Sequence, residues 1–91
     1  MTRMHKPPHP GEVLREYLGD MPINHAADHL QVSRVTLSRV LNGASGISAD
    51  MAIRLGQALG TSPDLWAGMQ SKYDLFQAAQ EERPRIQRIA A

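Results

Sequence analysis

The sequence predicts an all-α protein, a single bundle of five helices with a short extended arm before it and a tail after it. Three observations carry this. Apolar residues recur at helical spacing in five separate stretches, with no stretch alternating as a strand does. Each stretch is bounded by a capping residue, a glycine or a proline. Finally, only Tyr17, Trp66, Tyr73 and Phe76 are aromatic, so the core is built from Leu, Ile, Val, Ala and Met, which suits packed helices. The 91 residues make one domain. A chain of this size buries roughly 60–65% of its unfolded surface and needs no staples to hold one core.

The elements follow in order. Residues 1–9 form the arm, with prolines at 7 and 8. Pro10-Gly11-Glu12 opens the first helix, whose face is Val13, Leu14, Tyr17 and Leu18, and Gly19-Asp20 ends it. The second helix runs from Pro22 or Ile23 to Leu30, with Ala26, Ala27 and Leu30 on one side. Ser33 caps the third, which turns Leu37, Val40 and Leu41 inward and stops at Asn42-Gly43, both tolerant of a left-handed backbone. Ile47-Ser48 starts the fourth, carrying Met51, Ala52, Leu55, Ala58 and Leu59 up to Gly60. Ser62-Pro63-Asp64 combines a cap, a proline at the first helical position and an early acid. The fifth helix follows with Leu65, Trp66, Met69, Tyr73 and Phe76, fading near Gln80. The domain thus spans 10–80, and 81–91 are the tail.

Composition narrows function. The absence of cysteine removes disulfides, thiolate metal sites and cysteine nucleophiles, and fits a cytoplasmic protein. No apolar run approaches the ~18 residues of a membrane span, so no membrane partner is expected. The net charge of +1 decides nothing, but its distribution does. Residues 33–43 carry Arg34 and Arg39 and no acid. Residues 61–82 carry Asp64, Asp74, Glu81 and Glu82 against Lys72 alone, a balance of −3. One end can face phosphates while the other faces something else.

Two short helices joined by a tight turn over about 23–42 meet the geometric demands of a helix-turn-helix. A small residue must lie mid-way along the first so that the second can cross it; Ala27 supplies it. The turn comes four residues later, at Gln31. Leu37 and Val40, ten and thirteen residues after Ala27, sit where the second helix must lock onto the first. That leaves Arg34, Val35, Ser38 and Arg39 outward. An arginine can contact guanine O6 and N7 in a bidentate pair, and a valine can meet a thymine methyl. Ser38 can bond a base edge or a phosphate.

Four blocks in order extend the pattern: His9-Pro10-Gly11-Glu12-Val13-Leu14-Arg15-Glu16, the run Val32 to Gly43, the run Gly46 to Leu55, and Ala58 to Trp66. Together they resemble the HigA antitoxins, the plasmid-maintenance antidote proteins of the XRE or lambda-repressor-like family, over about residues 7–76. The resemblance implies a protein that binds operator DNA as a homodimer, represses its own operon and binds a RelE/HigB-like mRNA-cleaving toxin. The alternative is a stand-alone regulator of the same fold with no toxin. On this reading Ser33, Arg34, Val35, Thr36, Ser38, Arg39 and Asn42 contact DNA. Asn42 is read equally as a helix C-cap and as a phosphate contact. Two positions depart from the family pattern. The second helix begins Pro22-Ile23 where Ser or Thr followed by a phosphate-binding Gln is usual, and Gln31 stands where Gly is usual. A non-glycine residue with positive φ is strained.

Trp66, Met69, Tyr73 and Phe76 form a stripe long enough to serve as a dimer interface as well as core. His25 and His29 lie i, i+4, but Ala26 stands where the zinc-protease motif needs Glu, and no third ligand is apparent. Neither a metal nor another cofactor is expected. With no glycine-rich phosphate loop, nucleophile elbow or paired carboxylates, the chain is not expected to be an enzyme. Arg3 and Lys6 read as charges of a solvated arm.

Overall fold

The computed structural model describes residues 5–90. Arg3, expected to be a charge of the arm, lies outside them. The described residues form five helices and no strand: α1 (Pro10–Leu18), α2 (Ile23–Leu30), α3 (Arg34–Leu41), α4 (Ala49–Leu59) and α5 (Pro63–Ala79).

The helix starts are chemically explicit. Ser33, Ser48 and Ser62 each have extended backbone, and each hydroxyl oxygen accepts the amide of the third residue on, Thr36, Met51 and Leu65. His9 does the same for α1 with its ring, Nδ1 accepting the Gly11 amide at 2.9 Å. Pro10 and Pro63 occupy first-turn positions, where the missing N–H costs nothing. Helix α2 is the exception, because Pro22 provides no side-chain cap. At the C-termini, Gly60 takes the left-handed conformation. Past α3 only Gly43 does so (φ 76°); Asn42 stays at φ −91°.

The core is a single cluster drawn from all five helices. Leu14, Leu37, Leu55 and Trp66 are fully buried, and Ala26, Ala27, Val40 and Ala52 are nearly so. Each large side chain contributes roughly 1.5–3 kcal/mol. Among the described residues, no charged or polar residue is buried with them. Helix α5 packs along α4 and α1, α2 packs on α3 and α4, and α1 packs on α3. Two edge-to-face ring pairs show that α5 runs antiparallel to α1: Tyr17 with Trp66 at 5.3 Å, and His9 with Tyr73 at 4.8 Å.

One backbone contact fixes the position of α3. A Cβ on Gly11 would stand 2.0 Å from the Val40 carbonyl oxygen, so the start of α1 touches the end of α3 main chain to main chain. Only glycine permits that approach. The radius of gyration, 16.0 Å, exceeds the roughly 12 Å of a compact chain this long, as the end of α5 and the tail project from the bundle.

Candidate nucleic-acid interface

Helix α3 divides cleanly. Leu37, Val40 and Leu41 are buried against the bundle, while Arg34, Val35, Thr36 and Arg39 are exposed and Ser38 is half-buried. Val35 is 68% exposed, which is unusual for a residue with nothing outside to cover it. At the N-terminus the Ser33 hydroxyl accepts the Thr36 amide at 3.0 Å and donates to Thr36 Oγ1 at 2.8 Å. Both residues therefore serve the helix start, with Thr36 locked beside the cap. Among the described residues no hydrogen bond or ion pair engages the guanidinium of Arg34 or Arg39; the ion pair that does form is Asp50–Arg54, on α4. Two cations one and a half turns apart on an acid-free face are available to an external anion or base edge.

Asn42 is organised from both sides. Its Oδ1 accepts from Arg15 Nη2 at 2.7 Å, and its Nδ2 donates to Ser38 Oγ at 3.2 Å. Arg15 Nε also donates to the Leu41 carbonyl at 3.1 Å. Asn42 thus ends α3 through its backbone and fixes Ser38 through its side chain, with Arg15 holding the amide in place. Arg15 brings a second cation to the α3 C-terminus, which already carries Arg39 in its last turn, and a donor to one of its orphan carbonyls.

The turn between α2 and α3 is held by another arginine. Gln31 is the one non-glycine residue with positive φ among those described (φ 57°, ψ 45°), so the turn keeps its left-handed shape without glycine. The Gln31 amide reaches the Ala27 and Asp28 carbonyls, and Val32 N–H donates to Ala27 O at 3.0 Å. From α4, Arg54 Nη1 donates to the carbonyls of Leu30 at 2.9 Å and Gln31 at 3.1 Å, while its Nε pairs with Asp50 at 2.7 Å. Neither Arg15 nor Arg54 stands out in the sequence as functional. Apart from Asp50, their partners lie 23 to 27 residues away and are mostly backbone atoms, which leave no mark in a residue pattern.

The α5 stripe separates into different roles. Trp66 is fully buried and its indole N–H donates to Thr61 Oγ1 at 2.8 Å. It is a core residue, and its expected place in a dimer interface is corrected accordingly: Tyr17 on α1 already covers its ring. Met69 is half-buried against the core, Tyr73 against His9, and Phe76 is half-buried near the helix end. The large apolar residues that α5 leaves in water are Leu65 and Leu75, which the stripe did not include. Gln70 points back instead: its Oε1 accepts the Ile47 amide at 2.7 Å and its Nε2 donates to Asp74 at 2.9 Å.

His25 and His29 stand exposed on α2. Among the described residues no group of three His, Asp or Glu converges as a metal site would require, and no helix is long and apolar enough to cross a membrane.

This arrangement has counterparts in known proteins. The helix-turn-helix domain family matches residues 12–67. Virulence-associated protein A' of Dichelobacter nodosus is 44% identical over 82 residues, covering 87% of this chain and 71% of that protein. An addiction module antidote protein of a HigA family from Coxiella burnetii superposes with a TM-score of 0.76 at 36% identity, over 89% of this chain and all (100%) of the other. The antitoxin HigA of Pseudomonas aeruginosa, solved with the higBA promoter, does so with a TM-score of 0.78 at 44% identity, over 81% and 84% of the two chains. An arginine-bearing third helix, the Gly11–Val40 contact that seats it and this degree of kinship lead to one conclusion: the chain belongs to the HigA-type antitoxins of the helix-turn-helix family.

Proposed function

We propose that the chain binds the operator of its own operon as a homodimer, laying α3 of each protomer in the major groove, and holds a RelE/HigB-like mRNA-cleaving toxin on its folded surface. The observation that carries the DNA reading is the outward face of α3: Arg34 and Arg39 unengaged, Val35 bare, and no acid beside them. The P. aeruginosa relative solved with its promoter supports the same use of the fold.

Ser33, Thr36 and Asn42 border that face. The first two offer hydroxyls at the start of α3, and Asn42 lies at its end, where phosphates flank a groove-bound helix. A single helix-turn-helix reads too few base pairs to be specific, so two-fold pairing with recognition helices one DNA turn apart, about 34–36 Å, is required. Met69, Tyr73 and Phe76, together with the exposed Leu75, are the α5 residues best placed to form the contact between protomers. The acids of residues 61–82, strung along α5 and just past it, give a charge complementary to a basic RNA-cleaving partner, which speeds encounter more than it tightens the complex. Residues 81–91 bring two large apolar side chains, Ile86 and Ile89, so the toxin is held mainly by the helical surface.

Two measurements test this. Footprinting on DNA upstream of the coding sequence should protect a palindrome. Co-expression with the basic protein of about 90–110 residues expected from the neighbouring reading frame should restore growth, and a chain ending at Gln80 should still do so. Protection of DNA without any neutralised neighbour would make the protein a stand-alone regulator.

A further inference from the structure

Beyond Glu82 the chain carries Arg83, Arg85 and Arg88 and no acid. As far as Ala90 this tail has neither helix nor strand and is exposed throughout. Arg83 has internal work, since its guanidinium donates to the Ala78 carbonyl and closes the end of α5. Arg85 and Arg88 have no hydrogen bond or ion-pair partner among the described residues.

A run of charge is usually just a solvated surface; here its location argues for more. On α5, Tyr73 meets the His9 ring edge-on at 4.8 Å, and His9 in turn lies 3.9 Å from where a Cβ on Gly43 would stand, just past the end of α3. From Tyr73 to Gln80 is only about 10 Å of helix at roughly 1.5 Å per residue. The tail therefore leaves the bundle at the end that holds the α3 terminus and the arm with His5 and Lys6. The backbone of a duplex flanks that end when α3 lies in the groove.

We infer that Arg85 and Arg88 form a second DNA contact, gripping phosphates of the duplex beside the groove that α3 reads. This rests on the proposed DNA binding. A guanidinium donates to a phosphate bidentately and keeps its charge at any relevant pH. The contact adds affinity and carries no base information. The Glu81-Glu82 pair repels phosphate, so contact begins only after Pro84. Fully extended at roughly 3.3 Å per residue, the residues from Pro84 to Arg88 reach about 16 Å, or some five base pairs. Arg83 is excluded because it caps α5.

The test is the salt dependence of binding by the full chain. It uses a long duplex of its own upstream DNA, a scrambled duplex of equal length, and a duplex trimmed to the footprint of α3. For R85A/R88A, the slope of log affinity against log salt should fall by about 0.9 for each phosphate no longer neutralised, near 3.6 for a dimer. Affinity at low salt should drop at least about tenfold on both long duplexes, leaving their ratio unchanged. R85K/R88K should keep the slope. Trimming the duplex should erase the difference between wild type and R85A/R88A. Circular dichroism and thermal melting should be the same for all variants, as Arg85 and Arg88 are exposed and have no partner among the described residues. A wild-type slope in R85A/R88A overturns the inference and leaves a protein partner for Ile86 and Ile89. Wild type failing to bind any duplex removes the proposed function, and this inference with it.

Discussion

Arg54 holds Gln31 in a conformation that Gln31 would not choose. The guanidinium donates to the Gln31 carbonyl at 3.1 Å and to that of Leu30 at 2.9 Å, while Gln31 itself sits at φ 57°. A left-handed backbone costs an L-residue roughly 1–2 kcal/mol, and the clamp from α4 offsets part of it. Arg54→Ala should therefore lower stability by about 1–3 kcal/mol, since two carbonyls lose a charged donor. Gln31→Gly should raise it by up to about 1 kcal/mol, the relief of strain exceeding glycine's entropy cost. Thermal melts of both variants decide this, and a Gln31→Gly protein that melts below wild type would mean the turn is not strained.

Arg39→Ala should weaken specific operator binding by about 1–3 kcal/mol and relax preference at one base pair. The residue lies on the outward face with its guanidinium unengaged, so the folded protein should melt as wild type does. Binding to the operator and to single-base variants of it separates the cases. Equal loss on every sequence would assign Arg39 to phosphate instead.

Gly11→Ala should destabilise the protein by about 3 kcal/mol or more, because the new methyl meets the Val40 carbonyl oxygen, which cannot swing aside as a flexible side chain would. For a domain this size that is a fall of roughly 12 °C or more in Tm. Gly68→Ala is the matched control: nothing lies within 4 Å of a Cβ there, so it should be neutral or better. Similar melts for the two would show that α1 and α3 do not meet main chain to main chain.

Substitutions on α5 should fall into two kinds. Trp66→Ala should cost about 3–5 kcal/mol of folding stability, as expected for emptying a buried aromatic site. Leu75→Arg and Phe76→Arg should leave the fold nearly intact and shift sedimentation toward a monomer. A dimer that survives both arginines at tens of micromolar (a concentration of about 10⁻⁵ M, where a weak pair dissociates) places the interface elsewhere.

What the sequence discloses depends on how local the cause is. Ser33, Ser48 and Ser62 each act on an amide three residues away, and Gly60 and Gly43 act on their own φ, so the helix boundaries are legible in the residue order alone. The inward and outward faces of α3 follow from one period and one neighbour. Trp66 misleads because a stripe at 66, 69, 73 and 76 says which side of α5 is apolar and not which neighbour covers each residue; Tyr17, 49 positions away, covers this one. Arg15, Arg54 and Gln70 are invisible for a related reason. Each reaches across the bundle, and Arg54 acts on main-chain carbonyls while Gln70 accepts a main-chain amide. A pattern of side-chain types has nothing there to match.

The separation of duties along α3 also bears on how such proteins diversify. Leu37 and Val40 seat the helix, while the side chains of Arg34, Val35 and Arg39 are exposed. Exchanges at those three positions should change stability by no more than about 0.5 kcal/mol, so a duplicated copy can drift to a new operator without passing through an unfolded intermediate. With α3 reading the operator as proposed, several such systems can share one genome with little cross-talk, insulated by the outward side chains of that helix on an otherwise unchanged scaffold.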